Sequence, residues 1–142
     1  MDHNSLKIDQ QTLEAYLQTS YVTEKPELSI KVGEINRELN VFLFDNNSFF
    51  WAFISACNPY SSMLSDDENE ILHQNLIEKV KSMKLRYCEG SGIPADESWK
   101  AEKSLLILDI SKKDAILLGK AYNQNAIVFG KLHKAPELVL CK

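Results

Sequence analysis

The chain has 142 residues, of which 44% are hydrophobic, 25% charged and 9% aromatic, with five glycines and four prolines. Those averages exclude collagenous, low-complexity and wholly disordered chains, and they suit one globular domain spanning residues 1–142. Sixteen basic against twenty acidic residues leave a formal charge of −4, which argues against nonspecific nucleic-acid binding as the main task.

Met1-Asp2-His3-Asn4-Ser5 shows no positive segment leading into an apolar core, so no signal peptide is expected. The longest apolar run, near Phe49 to Cys57, is far short of the ~20 residues a membrane-spanning helix needs. The expectation is a soluble, cytoplasmic chain with no membrane partner.

Asp9 has the character of an N-cap, with Ile8 before it and Leu13 placed to staple it. Leu13, Tyr16 and Leu17 then share one face, which predicts a short amphipathic helix over 10–18. Leu28-Ser29-Ile30-Lys31-Val32 alternates apolar and polar residues and stops at Gly33, the pattern of a half-buried strand. Residues 34–43 suggest one or two helical turns carrying Ile35, Leu39 and Phe42 or Leu43 inward. After the turn cluster Asp45-Asn46-Asn47-Ser48, residues 49–56 are apolar on both faces and predict a central strand. Pro59 ends it, since it lacks a backbone donor and restricts Asn58.

Ser65 and Glu68 form a capping box for a helix over 65–84. Asp66, Asp67, Glu68 and Glu70 crowd its start and Lys79, Lys81 and Lys84 its end, both favourable to the helix dipole. Leu72, Leu76, Val80 and Met83 form the stripe expected to be buried, while His73 beside it reads as a surface residue. A strand is expected over 85–88, and 89–100 reads as a mobile irregular stretch because of Gly90, Gly92 and Pro94. Residues 104–110 predict a second central strand. Ser111 with Asp114 caps a helix over 112–122, and strands follow at 125–129 and 137–140. The fold class is therefore α/β or α+β: a single compact domain with one mixed sheet of about five or six strands and helices packed on it. Residues 49–88 and 104–129 each suit a strand–helix–strand crossover.

Four blocks of residues resemble a known family: Asn58-Pro59-Tyr60-Ser61 followed by Leu64-Ser65; Trp99 with Glu102 and Ser104-Leu105-Leu106; Gln124-Asn125-Ala126-Ile127-Val128; and Pro136-Glu137-Leu138-Val139. In this order they are similar to the bacterial family known as domain of unknown function 3293, over roughly Leu13 to Leu140. The resemblance implies a compact cytosolic bacterial protein and implies no activity. Two departures stand out. Tyr122-Asn123-Gln124-Asn125 replaces a more usual Phe-Gly-Gln-Asn, a change that a tight left-handed turn tolerates. Cys57 stands where the family often has Trp, which weakens any case for it as a nucleophile.

The three cysteines, Cys57, Cys88 and Cys141, form no C-x-x-C pair, and buried inert thiols are expected. His3, His73 and His133 are isolated from one another and from cysteine at ligand spacing, so neither metal nor cofactor is expected. The candidate ligand-binding residues are Asn58, Tyr60, Ser61, Trp99, Glu102, Gln124 and Asn125. Loops just outside strand ends are where open sheets bind ligands, and an aromatic ring beside a carboxylate and two amides suits a base or a sugar. Glu102, the only acid among these candidates, is the candidate general base. The competing role for Asn58 and Ser61 is a turn leading into a helix; for Gln124 and Asn125 it is bracing loops as buried amides. Asn58 and Ser61 follow their strand, whereas Trp99, Glu102, Gln124 and Asn125 precede theirs. All converge only if strand 49–56 runs antiparallel to 104–110 and 125–129. Lys112 and Lys113, in the first turn of a helix, oppose its dipole and read as solvated lysines, with an anion at Ser111 as the alternative.

Two functions stay open: a small-ligand or nucleotide-binding protein, enzymatic or not, with a polar site at one sheet edge, and a noncatalytic protein–protein interaction or regulatory module.

Overall fold

The computed structural model describes residues 9–96 and 100–141. Its elements are helix α1 (Gln10–Gln18), strands β1 (Ser20–Thr23) and β2 (Leu28–Ile30), helix α2 (Arg37–Asp45), strand β3 (Phe50–Ser55), a 3-10 turn (Pro59–Ser61) and helix α3 (Asp66–Ser82). Strands β4 (Tyr87–Ile93) and β5 (Glu102–Leu108), helix α4 (Lys112–Ala121), and strands β6 (Ala126–Lys131) and β7 (Glu137–Leu140) complete it. One sheet contains all seven strands in the order β2-β1-β4-β5-β3-β6-β7, curled into a half-barrel.

The expected single sheet with packed helices is thus present, in the α+β class. It has seven strands where five or six were expected, and every pairing is antiparallel where a mixed sheet was expected. The reason lies in the crossovers. β3 and β4 are both antiparallel to β5, so they run parallel to each other with β5 between them. β5 and β6 likewise run parallel with β3 between them. Helices α3 and α4 therefore join parallel strands that never hydrogen-bond. This interleaving, with spatial order β4-β5-β3-β6, is the split βαβ arrangement of ferredoxin-like folds. The β1–β2 hairpin extends it past β4, and β7 extends it past β6.

Local chemistry explains the elements. Both arms of the Ser65–Glu68 capping box form, at 3.0 and 3.1 Å. Asn36 caps α2 by accepting from the Leu39 amide at 2.9 Å, which buries Leu39 and Leu43 but leaves Ile35 outside, against expectation. Leu13 and Tyr16 of α1 are half-buried while Leu17 is exposed; the Ile8 end of its expected staple lies outside the described residues. His73 is fully buried rather than on the surface, because α3 turns it with Leu76 and Ile77 toward the sheet. Residues 87–93 form a strand rather than the start of an irregular loop. Glycine is depleted in strands, yet a Cβ on Gly90 would lie 2.2 Å from the Val22 carbonyl oxygen. Close approach of β1 is what requires glycine there. β1 itself, only four residues long, carries too brief an alternation to be legible.

The two sheet faces differ. Ala52, Ile54, Leu105, Ile107, Ile127 and Phe129 meet α3 and α4 through Leu76, Ile77, Val80, Ala115 and Leu118. The opposite, concave face contains Trp51, Phe53, Leu106, Leu108 and Val128, covered at one end by Leu28, Ile30, Leu39 and Leu43. Trp51 packs against Gly130, where a Cβ would come within 2.4 Å of its ring.

Candidate functional site

At the other end the concave face turns polar. Along β3 it reads Trp51, Phe53, Ser55; along β5, from the same end, Leu108, Leu106, Ser104 and Glu102. Ser55 lies opposite Ser104 in the register. The antiparallel order sends the loop after β3 to the same edge as the starts of β5 and β6. The geometric condition for one site is therefore met, and Asn58, Ser61, Glu102, Gln124 and Asn125 converge.

Asn58 organises the edge. Its Nδ2 donates to Glu102 Oε2 at 2.7 Å, and its Oδ1 accepts from the Leu64 amide and from Asn69 Nδ2, both at 2.9 Å. Its own backbone N–H donates to Asn69 Oδ1 at 2.9 Å. The amide therefore braces the loop and orients a carboxylate at once. Asn58, Tyr60 and Ser61 have φ of 47°, 52° and 65°. Left-handed backbone at three non-glycine residues in a four-residue span is the kind of strain that clusters at ligand sites. Opposite, Gln124 Nε2 donates to the Cys57 and Tyr122 carbonyls at 3.1 and 3.2 Å. Asn125 Nδ2 donates to Ser61 Oγ at 3.1 Å.

Helix α1 forms the remaining wall. It buries no residue fully and is anchored through Tyr16, whose hydroxyl faces Ser61 and Asn125. The Tyr21 hydroxyl donates to the Tyr16 carbonyl at 2.9 Å, and its ring meets Phe53 edge-on at 5.4 Å. Between α1 and the concave face lies a cavity of about 520 Å³, within the ~300–1,000 Å³ common for small-molecule sites. Phe53, Val128 and Leu138 supply apolar lining; Ser55, Asn58, Ser61, Glu102, Ser104 and Gln124 supply polar lining. A second hollow of about 680 Å³, beside the β1–β2 hairpin, is lined by none of the candidate residues.

Burial pushes the Glu102 carboxyl above its ordinary range, with the Asn58 amide pulling it partly back. Burial also lifts the Tyr16 phenol to about 12, helped by the Glu102 charge and opposed by Ser61 and Asn125. A carboxylate with a raised pKa is suited to accept a proton or to hold a hydrogen-bond donor. Ser61 faces Asn125 and Tyr16 rather than a base, and Cys57 Sγ lies 3.6 Å from the Lys103 carbonyl. Burial raises the thiols of Cys57, Cys88 and Cys141, the last to about 11, as inert thiols require; Cys88 is only half-buried.

The candidate residues divide by placement. Asn58, Ser61, Glu102 and Gln124 line the cavity, and Asn125 supports Ser61. Tyr60 does not line it: its ring is half-exposed, while its backbone N–H donates to the Asn123 carbonyl at 2.7 Å. Trp99 lies outside the described residues. Tyr16, Tyr21, Ser55, Asn69 and Ser104 were not foreseen; only the period-two alternation on β3 and β5 could have marked the two serines. Among the described residues, no group of three or more His, Cys, Asp or Glu is placed to hold a metal ion. Lys112 is not merely solvated, because its Nζ pairs with Glu137 Oε1 at 2.7 Å. Among the described residues, no helix is long and apolar enough to cross a membrane.

No curated protein and no solved structure matches the chain. A family model does match, over residues 54–127, which is just over half the chain. The matched span runs from the end of β3 to the start of β6 and contains Asn58, Ser61, Glu102, Gln124 and Asn125. The chain belongs to the family described as protein of unknown function (DUF3293).

Proposed function

We propose that this chain is a cytoplasmic bacterial protein that binds a small molecule between α1 and the concave face of the sheet. The observation that carries this reading is the approximately 520 Å³ cavity, whose polar lining comes from three well-separated stretches of sequence around Glu102. Large pockets with an apolar lining and a few convergent polar groups are the usual form of small-ligand sites. Binding is favoured over catalysis because, among the described residues, Glu102 is the one carboxyl that burial raises and neither Ser61 nor Cys57 hydrogen-bonds a base. The formal charge of −4 speaks against nonspecific nucleic-acid binding. A thermal-shift screen against metabolites tests the reading, since a ligand bound only to the native state raises its melting temperature. At least one compound class is expected to raise it, and a panel without effect counts against the reading.

The interaction-module alternative draws support from Val41 and Phe44 on α2 together with Phe49, all more than half-exposed. On that reading Phe44→Ser would abolish partner capture while leaving the melting temperature nearly unchanged.

A further inference from the structure

The hydrogen-bonding capacity left around the cavity has one sign. Gln124 faces two carbonyl oxygens, so its NH2 group must point at them and its own Oε1 is left without a donor among the described residues. Asn58 has the converse arrangement: the Leu64 N–H fixes its oxygen, and both sides of its amide are engaged inside the protein. Glu102 receives one hydrogen bond at Oε2, and among the described residues nothing donates to Oε1. Ser104 Oγ donates to the Glu102 carbonyl at 3.1 Å and Ser55 Oγ to the Lys103 carbonyl at 3.0 Å. The donors of Ser55, Asn58, Ser104 and Gln124 around the carboxylate are thus spent within the fold, and the acceptors of Glu102 and Gln124 remain.

Charge points the same way. Among the described residues, Asp9, Glu14 and Glu102 line the cavity against one lysine, Lys100. Lys100 Nζ already sits 3.3 Å from both carboxylate oxygens of Asp66. A phosphate or carboxylate entering beside Glu102 would lose its hydration and meet like charge where the neighbouring Ser55, Ser104 and Gln124 donors are already engaged, which disfavours an intact nucleotide.

The geometry points to a ligand that carries a protonated amine or amidine on a compact apolar body, its N–H groups directed at Glu102 and its body against Phe53, Val128 and Leu138. This rests on the small-ligand reading above. An amidine matches a carboxylate edge with two N–H groups, the geometry that makes such pairs strong.

The test uses benzamidine, with benzamide and benzoate as its neutral and anionic counterparts, on the isotope-labelled chain. Benzamidine is expected to raise the melting temperature and shift the amide signals of Ser55, Ser104 and Gln124, with benzamide weaker and benzoate without effect. Glu102→Gln is expected to weaken benzamidine binding by about tenfold or more, the size of losing one charge-assisted bond, while keeping a dispersed spectrum. If benzoate binds these residues as well as benzamidine does, or Glu102→Gln binds benzamidine unchanged, the ligand class is wrong and the small-ligand reading stands. If none of the three probes moves those signals, both fall. The three-probe comparison is made on the unaltered chain and so decides even if the variant fails to fold.

Discussion

The two faces of the sheet are built from alternate residues of the same strands and have opposite characters. On the helix-covered face, β3, β5 and β6 present Ala52, Ile54, Leu105, Ile107, Ile127 and Phe129, apolar almost from end to end and sealed by α3 and α4. On the concave face the same strands begin with Trp51, Leu108 and Leu106 but finish with Ser55, Ser104 and Glu102. Among the described residues, the first half of that face is sealed by α2 and the β1–β2 hairpin, and the second half borders the cavity. Burial stabilises a fold wherever it occurs, so a core that becomes polar partway along its strands forgoes stability there. Such a departure from consistent patterning is characteristic of a functional site.

The sharpest way to break this contrast is to damage the sealed face and look for an effect on the open one. Leu76 is completely buried among Ile54, Leu105 and Ile107 in the core beneath α3. Leu76→Ala is expected to cost about 2–5 kcal/mol through lost transfer energy and the cavity left behind, measured by urea denaturation. Any compound that binds the concave cavity should do so with unchanged affinity in the surviving folded fraction. A coupled loss of affinity would show that the faces do not act independently.

Asn58 tests the open face next. Asn58→Ala removes the bonds to the Leu64 amide, Asn69 and Glu102 together and leaves buried groups unpaired, at a cost of about 2–3 kcal/mol. Asn58→Gly removes the same bonds but accepts φ of 47° without a steric penalty. The glycine variant is therefore expected to be the more stable of the two by about 1 kcal/mol, read from the same denaturation midpoints. Equal midpoints would mean that the left-handed backbone at Asn58 carries no strain.

How much of this was legible in the residues depends on the range of the signal. The α3 helix showed in its capping box, charge bias and apolar stripe, all local features, and it formed nearly as expected. The central strands showed in continuous apolar runs at 49–56 and 104–110. β1, and β4 through Gly90 and Gly92, did not show, because their reason is a partner strand arriving from sixty or more positions away. The site divides in the same way. Asn58, Ser61, Glu102, Gln124 and Asn125 stood out as polar residues beside strand ends, and one topological condition decided whether they met. Asn69 sits on a helix surface with nothing local to mark it, and Tyr16 is marked only as part of the apolar face of α1; only the fold brings them to the edge.

The smallest expected effect has the opposite sign and speaks most directly to the contrast between the faces. Because burial raises the Glu102 carboxyl in the folded chain above its unfolded value, the folded state holds the proton more tightly. Stability then falls as pH rises from the ordinary carboxylate range through the raised pKa, and the whole penalty is present above it. Glu102→Gln carries no charge, and its side-chain oxygen can still accept from Asn58. The variant is therefore expected to melt slightly above the parent chain at pH 7 and to lose that advantage as the pH falls below the ordinary carboxylate value. Every other carboxyl titrates alike in both chains, so the difference between their melting curves isolates this one group. A variant less stable than the parent at pH 7 would mean that the fold favours the charged carboxylate, and the polar end of the concave face would then be part of the scaffold. A variant more stable at pH 7 would show that stability has been given up at Glu102, as at sites shaped by function.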